Sequence, residues 1–576
     1  MSPNTKLYKK IKIINKKFKF DKMNYVAPSH LKNFILKDPI IDYLEYYNIK
    51  NMNDLPKNKK LSKIKNYSNL STKNIDCFDK FIQLKGNEFE TKVMTNYTHL
   101  KIGGNVTIEN INKTIQALNN REPIIYQGIL FCQENKTYGY PDIIIRGDYL
   151  NSLFNQNEDI DKYYIIDIKY STIKLSADKT YILNYDYIPV YKTQILLYTN
   201  ALNNLLNQNV TKGFILGKKY FYESRKNKYY IDNDLYNKLA CINYSSVDNN
   251  YNNILSNSID WVFKLRTDGY QWKLFPKPSI NDLYPNMCNR KDGRLHNLKK
   301  NIAEKLKELT LIVNVGVKQR ENAFKHNIFS YDHPDCTPLI LGLNGKKGII
   351  VDHILKINSS KSTKIITPDK IIYNEFNWRE ITNDTDMEFF LDYETTTDFD
   401  KNQYIFMVGV GYYDIKWEFK CFVAKNKEVE GQIGLFNEFW EWINNILTKY
   451  NKNKAIFIHW THAEETSYNK IKNIINIPDK NFLDLYQIFI SEPIVIKGAF
   501  NYSLKTIART MYSHKMIKTV WKESKCNNGL DAMYLAHNIY ETKKNVTHND
   551  FKDIVVYNEI DCKVLYEILF YLRDNL

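Results

Sequence analysis

At 576 residues the chain is longer than one hydrophobic core serves, and its length implies roughly three or four domains. Its 43% hydrophobic and 14% aromatic content excludes a wholly disordered protein, and no apolar run approaches a membrane span. The formal charge of +17 fits a polyanionic partner, although a chain this rich in Lys, Asn, Ile and Tyr is also what an AT-rich genome produces.

Residues 1–23 form a Lys-rich arm without an apolar signal core, expected to be solvated. In SHLKNFILKDPIIDYLEYY the pattern predicts two short helices, with Ser29 capping the first and Asp38-Pro39 restarting the second. The Lys/Asn/Ser-rich stretch from Asn51 to Asn74 reads as a loop. Phe78 to Val93 has helical periodicity and carries Gly86 and Glu90. Strand-like runs follow at IIYQGILF, PDIIIRG and YYIIDIKY, then a helix at YKTQILLYTNALNNLL, an α/β order. From about Tyr230 to Thr385 the pattern becomes mainly helical. Within it, KELTLIVNVGVKQRENAFKHNI reads as two helical halves around Val315-Gly316-Val317, followed by Lys318. That turn resembles a helix-hairpin-helix module, whose glycine turn offers backbone N–H groups to a DNA phosphate. The plainer reading is an ordinary helical turn in a connecting segment. The last stretch opens with strands and closes with the helix VVYNEIDCKVLYEILFYL. The expected division is thus 1–23, 24–230, 231–385 and 386–576.

Two strand-like runs end in charge. In FFLDYETTTDF, Asp392 and Glu394 are two apart and so share one strand face. Carboxylates that close repel, and they require a cation, a shared proton or a solvated strand end. A divalent metal is the economical answer, because hard cations prefer carboxylate oxygens. In YYIIDIKYS, Asp167 and Lys169 share a face, which is also the pattern of an ordinary ion pair at a strand end.

Glu90 on a helix, Asp142 after Gly139-Tyr140-Pro141, Asp167-x-Lys169 at a strand end, and Gln194-x-x-x-Tyr198 on one helical face come in a recognisable order. Over about 29–220 this resembles the PD-(D/E)XK nucleases of the RecB-like branch. The resemblance implies a restriction-endonuclease-like α/β core. Asp142 and Asp167, helped by Glu90 and the Ile168 carbonyl, would hold magnesium or manganese there. Lys169 would orient water or stabilise the charged phosphorane, and Gln194 and Tyr198 would position substrate. Some relatives carry an iron–sulfur cluster on four cysteines. The eight cysteines here are scattered without a CxxC pair, so no cluster is expected and free thiols are.

The C-terminal stretch resembles DEDD exonucleases of RNase H-like fold, in the tyrosine variant, and NYSLKTIA is similar to the YprB-type subfamily. Asp392 and Glu394 match the first motif. AIFIHWTHAEET supplies Glu464, five after His459, where most members have Asp; Glu465 is its alternative. Asp484 in FLDLYQIF would support the site from behind, and Tyr557-x-x-x-Asp561 closes the pattern, the acid on metal and the phenol on the attacking water.

Together the resemblances imply a multidomain α/β metal-dependent nuclease with two active sites. It would act on DNA in repair, recombination or replication, with 3′ to 5′ hydrolysis in the C-terminal domain. A RecB-like nuclease fused ahead of a YprB-type domain, in an AT-rich composition, suggests a large DNA virus as source. An RNA or RNA–DNA hybrid substrate for the C-terminal domain, or one domain reduced to nucleic-acid binding, stays open. The expected setting is intracellular and soluble, in cytoplasm, nucleus or a viral replication site, with nucleic acid and no membrane as partner.

Overall fold

A computed structural model describes residues 24–55, 77–225, 227–372, 378–379, 385–397, 403–472, 477–478, 481–522, 526, 528–543 and 546–576. The basic arm and most of the Asn51–Asn74 loop lie outside the described residues. The chain divides into two compact units, Met1–Leu306 and Lys307–Leu576, so the segment 231–385 is shared between them. No described helix is long and apolar enough to cross a membrane.

In the first unit the two short helices are present as α1 (Lys32–Ile35) and α2 (Ile40–Tyr46), the second starting straight after Asp38-Pro39. Ser29 caps neither. It lies inside a 3-10 turn, Pro28–His30, and Leu31 precedes α1 without a side-chain cap. Asp38 is fully buried, and its Oδ2 takes the Lys299 Nζ at 2.7 Å. Helix α3 (Cys77–Met94) carries Glu90.

The strands are β1 (Leu100–Lys101), β2 (Ile124–Tyr126), β3 (Leu130–Cys132), β4 (Thr137–Gly139), β5 (Ile143–Arg146), β6 (Tyr163–Lys174), β7 (Lys212–Ser224), β8 (Asn227–Asp232) and β9 (Ala240–Asn243). Seven of them form one sheet in the order β1-β2-β5-β6-β7-β8, with β9 also on β7, while β3 and β4 form a separate hairpin. The run IIYQGILF therefore breaks in two. Gln127 takes a left-handed φ of 55°, and a Cβ on Gly128 would lie 2.9 Å from the Ile144 side chain, so the chain turns out of the sheet there. One sheet face buries Ile143, Ile145, Ile166 and Phe214 in a cluster with Phe89 and Val93 of α3.

Helix α4 (Ile188–Leu206) brings Gln194 and Tyr198 to the sheet. Its fully buried Lys192 donates to Asp248 Oδ1 at 2.6 Å and to the Ile182 carbonyl at 2.8 Å, and Asp248 Oδ2 accepts the Asn243 N–H at 3.2 Å. The helix is thereby tied beside β9.

In the second unit, α5 (Val317–Lys325) forms the second half of the expected hairpin, but the first half is not helical. Only a 3-10 turn, Leu309–Leu311, is present, followed by extended chain whose Val313 N–H donates to the Phe500 carbonyl at 2.8 Å. β-Branched Thr310, Ile312 and Val313 favour that extended path. The buried Glu308 carboxylate, 3.1 Å from Arg320 of α5, fixes it.

Beyond a short antiparallel pair, β10 (Ile366–Thr367) with β16 (Val495–Ile496), the unit is built on five strands: β11 (Asp386–Thr397), β12 (Gln403–Tyr413), β13 (Trp417–Val423), β14 (Lys454–His459) and β15 (Asn481–Asp484). Their order is β13-β12-β11-β14-β15, antiparallel on one side of β11 and parallel on the other. Central β11 is buried on both faces by Phe389, Phe390 and Leu391, which explains its unbroken apolar start. Helices α6 (Val429–Lys449), α7 (Ala463–Lys472), α8 (Leu485–Ser491), α9 (Leu504–Ser513), α10 (Gly529–Thr542) and α11 (Lys552–Asn575) complete this mixed α/β unit.

Replacing Lys192 by Met strands the buried Asp248 carboxylate. Lys192→Met is expected to destabilise the first unit by about 3–5 kcal/mol in urea unfolding, and Lys192→Met with Asp248→Leu to recover most of that loss.

Candidate active sites

Strand alternation puts Asp392 and Glu394 on one face in the C-terminal half of β11, just before a register irregularity at Glu394/Thr395. Helix α11 lays Tyr557, Asn558 and Asp561 against that half, all three buried. Among the described residues, Asp392, Glu394 and Asp561 are the one group of acidic, His or Cys side chains whose ligand atoms all lie within 4.8 Å of one another. Burial first, then Asp561, Glu394 and Glu464, hold the Asp392 carboxyl well above the usual range, against the pull of Lys505. Glu394 is raised likewise, by burial and then by Asp561. Asp561 is pushed up to about 7 by burial, which outweighs the Lys505 ammonium and the Tyr557 hydroxyl beside it. Three hard oxygen donors at this spacing, each disfavoured as a lone anion, fit a magnesium or manganese ion.

Sequence reading missed two groups here. The Asn558 Nδ2 donates to Asp392 Oδ2 at 2.7 Å, and it can do so because its strand neighbour is glycine. Gly409 pairs with Asp392 across β11–β12, and a Cβ there would lie 1.5 Å from Asn558 Oδ1. The signal was the YNEID spacing, which sets Asn558 one turn before Asp561. The second is Lys505 of α9, inside the quoted NYSLKTIA. Its ammonium sits 4.4 Å from the Tyr557 ring centre, and burial pushes it down against the pull of Asp561.

Glu464, on α7, is outside the close trio. Its Oε2 lies 3.3 Å from Nδ1 of the fully buried His459, while its charge still bears on Asp392 and Asp561. Glu465 is exposed. Asp484 caps α8, accepting the N–H groups of Tyr486 at 2.9 Å and Thr461 at 2.8 Å, and so it ties the end of β14 to β15.

In the first unit, Asp142 Oδ2 accepts the Ile168 N–H at 2.6 Å, bringing it beside Asp167 of β6. Asp167 is almost fully buried and pairs with the Lys169 Nζ at 2.5 Å. Burial followed by the Asp167 charge holds Asp142 well above the usual carboxylate range. Burial alone would lower the Lys169 ammonium, but Asp167 and Asp142 together raise it. Gln194 Nε2 donates to the Tyr198 hydroxyl at 3.1 Å and stands 3.5 Å from Asp167 Oδ1. Tyr198 is buried against Gly139, where a Cβ would come within 2.4 Å of its ring. Glu90 is held by the Gln127 Nε2 at 2.9 Å, a partner sequence reading missed although the break at Gln127 marks it. All six expected residues thus gather around the middle of β6, which continues past the expected strand end to Lys174.

At the hairpin, Val315 is buried, the Gly316 N–H donates to Gln319 Oε1 at 3.1 Å, and Lys318 is exposed.

A carboxyl whose folded pKa is raised adds stability below its unfolded value and loses it as pH rises through the folded one. With Asp561 moving from 3.8 to about 7, the metal-free second unit is expected to lose stability as pH climbs from 3.8 to about 7 and to level off above it. Magnesium or manganese should restore it at alkaline pH, and Asp561→Asn should weaken both effects in thermal unfolding, leaving the part due to Asp392 and Glu394. Gly409→Ala, which displaces Asn558 from Asp392, is expected to weaken manganese binding about tenfold by calorimetry.

Comparison with the curated proteins finds no match. Residues 389–573, which contain every acid of the second site, match the family model RNase_H_2, described as RNase_H superfamily. The C-terminal part of this mixed α/β chain is therefore an RNase H-like domain.

Proposed function

We propose that the protein is a metal-dependent nuclease that hydrolyses DNA phosphodiester bonds at two sites, one per unit, in repair, recombination or replication. The observation that carries this reading is the convergence of Asp392, Glu394 and Asp561 from a strand and a distant helix to within 4.8 Å. Buried carboxylates this close need a cation or shared protons, and three hard oxygen donors together suit a divalent cation. The bound ion supplies Lewis-acid polarisation of the phosphate and lowers the pKa of water.

This chain's own groups do the rest. In the second site Asp392, Glu394 and Asp561 hold the metal, with Glu464 nearby. Tyr557, whose hydroxyl burial and Asp561 keep protonated, orients the attacking water for 3′ to 5′ hydrolysis. In the first, Asp142, Asp167 and Glu90 hold metal, Lys169 meets the charge that develops on the phosphate, and Gln194 and Tyr198 place the strand, as in the PD-(D/E)XK pattern. The exposed Lys318 beside Val315, Gly316 and Val317 would add a backbone contact to DNA. A second reading, that the C-terminal domain binds nucleic acid without cutting it, draws on Glu464, whose carboxylate faces His459.

End-labelled single-stranded and duplex DNA, with matched RNA, test both readings in magnesium. Asp167→Ala and Asp392→Ala are each expected to remove one product set by about 10²–10³-fold, and the double variant to remove both. Cleavage by the double variant at the parent rate would sink the proposal. Faster cutting of RNA than DNA by the Asp392-dependent activity would reassign that substrate. Tight manganese binding without Asp392-dependent cleavage would favour the second reading.

A further inference from the structure

We propose that the β7–β8 hairpin is the surface along which single-stranded nucleic acid reaches the first site. The inference rests on the nuclease reading of that site and names how its substrate is held.

Strand β7 pairs with β6 through the residues of the site and beyond them. Asp167 is registered with Ile215, Lys169 with Gly217, Lys174 with Phe221, and Phe221 in turn with Tyr230 of β8. Cross-strand partners share a face, and alternation keeps Ile215, Gly217 and Phe221 on one side of β7. The extra residue in β6 between Lys169 and Thr172 keeps Lys174 in step. Tyr230 and Lys174 therefore lie on the same sheet face as Asp167, six residues of β7 away, or about 20 Å.

That face changes character along its length. Phe221 is buried, yet Tyr230 above it is 60% exposed, on the outermost strand of the sheet. The Lys228 ammonium lies 4.1 Å from the Phe221 ring centre and 4.9 Å from that of Tyr230. On the opposite face Tyr222 and Tyr229 stack at 5.2 Å and 18°, with Lys179 4.5 Å from the Tyr222 ring. A single exposed tyrosine would mean nothing. The hairpin carries Tyr230 on the face of Asp167 and the Tyr222–Tyr229 stack on the other, with ammonium groups against both sets of rings, and so offers what an unpaired strand needs: π-surfaces for bases and cations for phosphates. A duplex hides its bases and can use only the cations. Two of these are already matched, Lys174 by Glu223 at 2.7 Å and Lys219 by Asp232 at 3.1 Å, so the rings set the preference for a single strand.

The test uses the full chain carrying Asp392→Ala, so that products report the first site, with oligothymidylate and a duplex of matched length. Tyr230→Ala is expected to raise KM for the single strand about tenfold with little change in kcat or in duplex cleavage. Tyr230→Phe should restore the parent KM, because the ring and not the hydroxyl stacks. Tyr149→Ala, at an exposed tyrosine off the hairpin, serves as the control and should match the parent. An unchanged KM in Tyr230→Ala, or an equal rise on the duplex, overturns the proposal and leaves the nuclease reading standing. If the parent shows no Asp167-dependent cleavage, photo-crosslinking of a strand bearing 5-iodouracil decides. Adducts at Tyr229 or Tyr230 then uphold the hairpin as a binding surface although the catalytic reading has failed; adducts confined to other segments overturn it.

Discussion

Repulsion among buried carboxylates is the constraint on which the second unit turns. A β-strand held at the centre of a sheet by Phe389, Phe390 and Leu391 buries Glu394 and half-buries Asp392, and α11 adds Asp561 to the same small volume. Without a cation the cluster relieves its charge by protonation, which is why all three carboxyls are shifted upward. A fold stabilised by such groups only when they are neutral or metal-bound is poised for a divalent ion.

The first unit answers the same difficulty with a protein cation. Lys169 stands against Asp167, and the pair raises the lysine while leaving Asp142 to bear the cost of burial. The ammonium that would face a phosphate is thus already part of the acid cluster's electrostatics, so substitution of either partner leaves the other a buried charge without its counterion as well as removing a group.

Both sites share a packing device. Each lets a helix side chain approach the sheet by omitting a Cβ: Gly139 beneath Tyr198, and Gly409 beneath Asn558. At either position alanine would overlap the approaching group. Tyr198 would be driven from Gln194, and Asn558 from Asp392. The glycines act through the distance they permit rather than through backbone freedom, since neither has a positive φ.

Local pattern alone set much of this. The alternation in FFLDYETTTDF placed Asp392 beside Glu394, the spacing of four put Tyr557 over Asp561, and the apolar runs located β5, β6, β11 and α4. These are consequences of strand and helix periodicity, which any single segment carries within itself. Other features depended on partners far away in the chain. The break at Gln127, the loss of helix before Val315 and the burial of Asp38 against Lys299 are each decided by a neighbour supplied by another segment. Asn558 and Gly409 belong to the same class. Periodicity fixes which way a side chain points, but only packing decides what stands opposite it, because close approach depends on the absence of an atom 149 positions away in sequence (409 to 558).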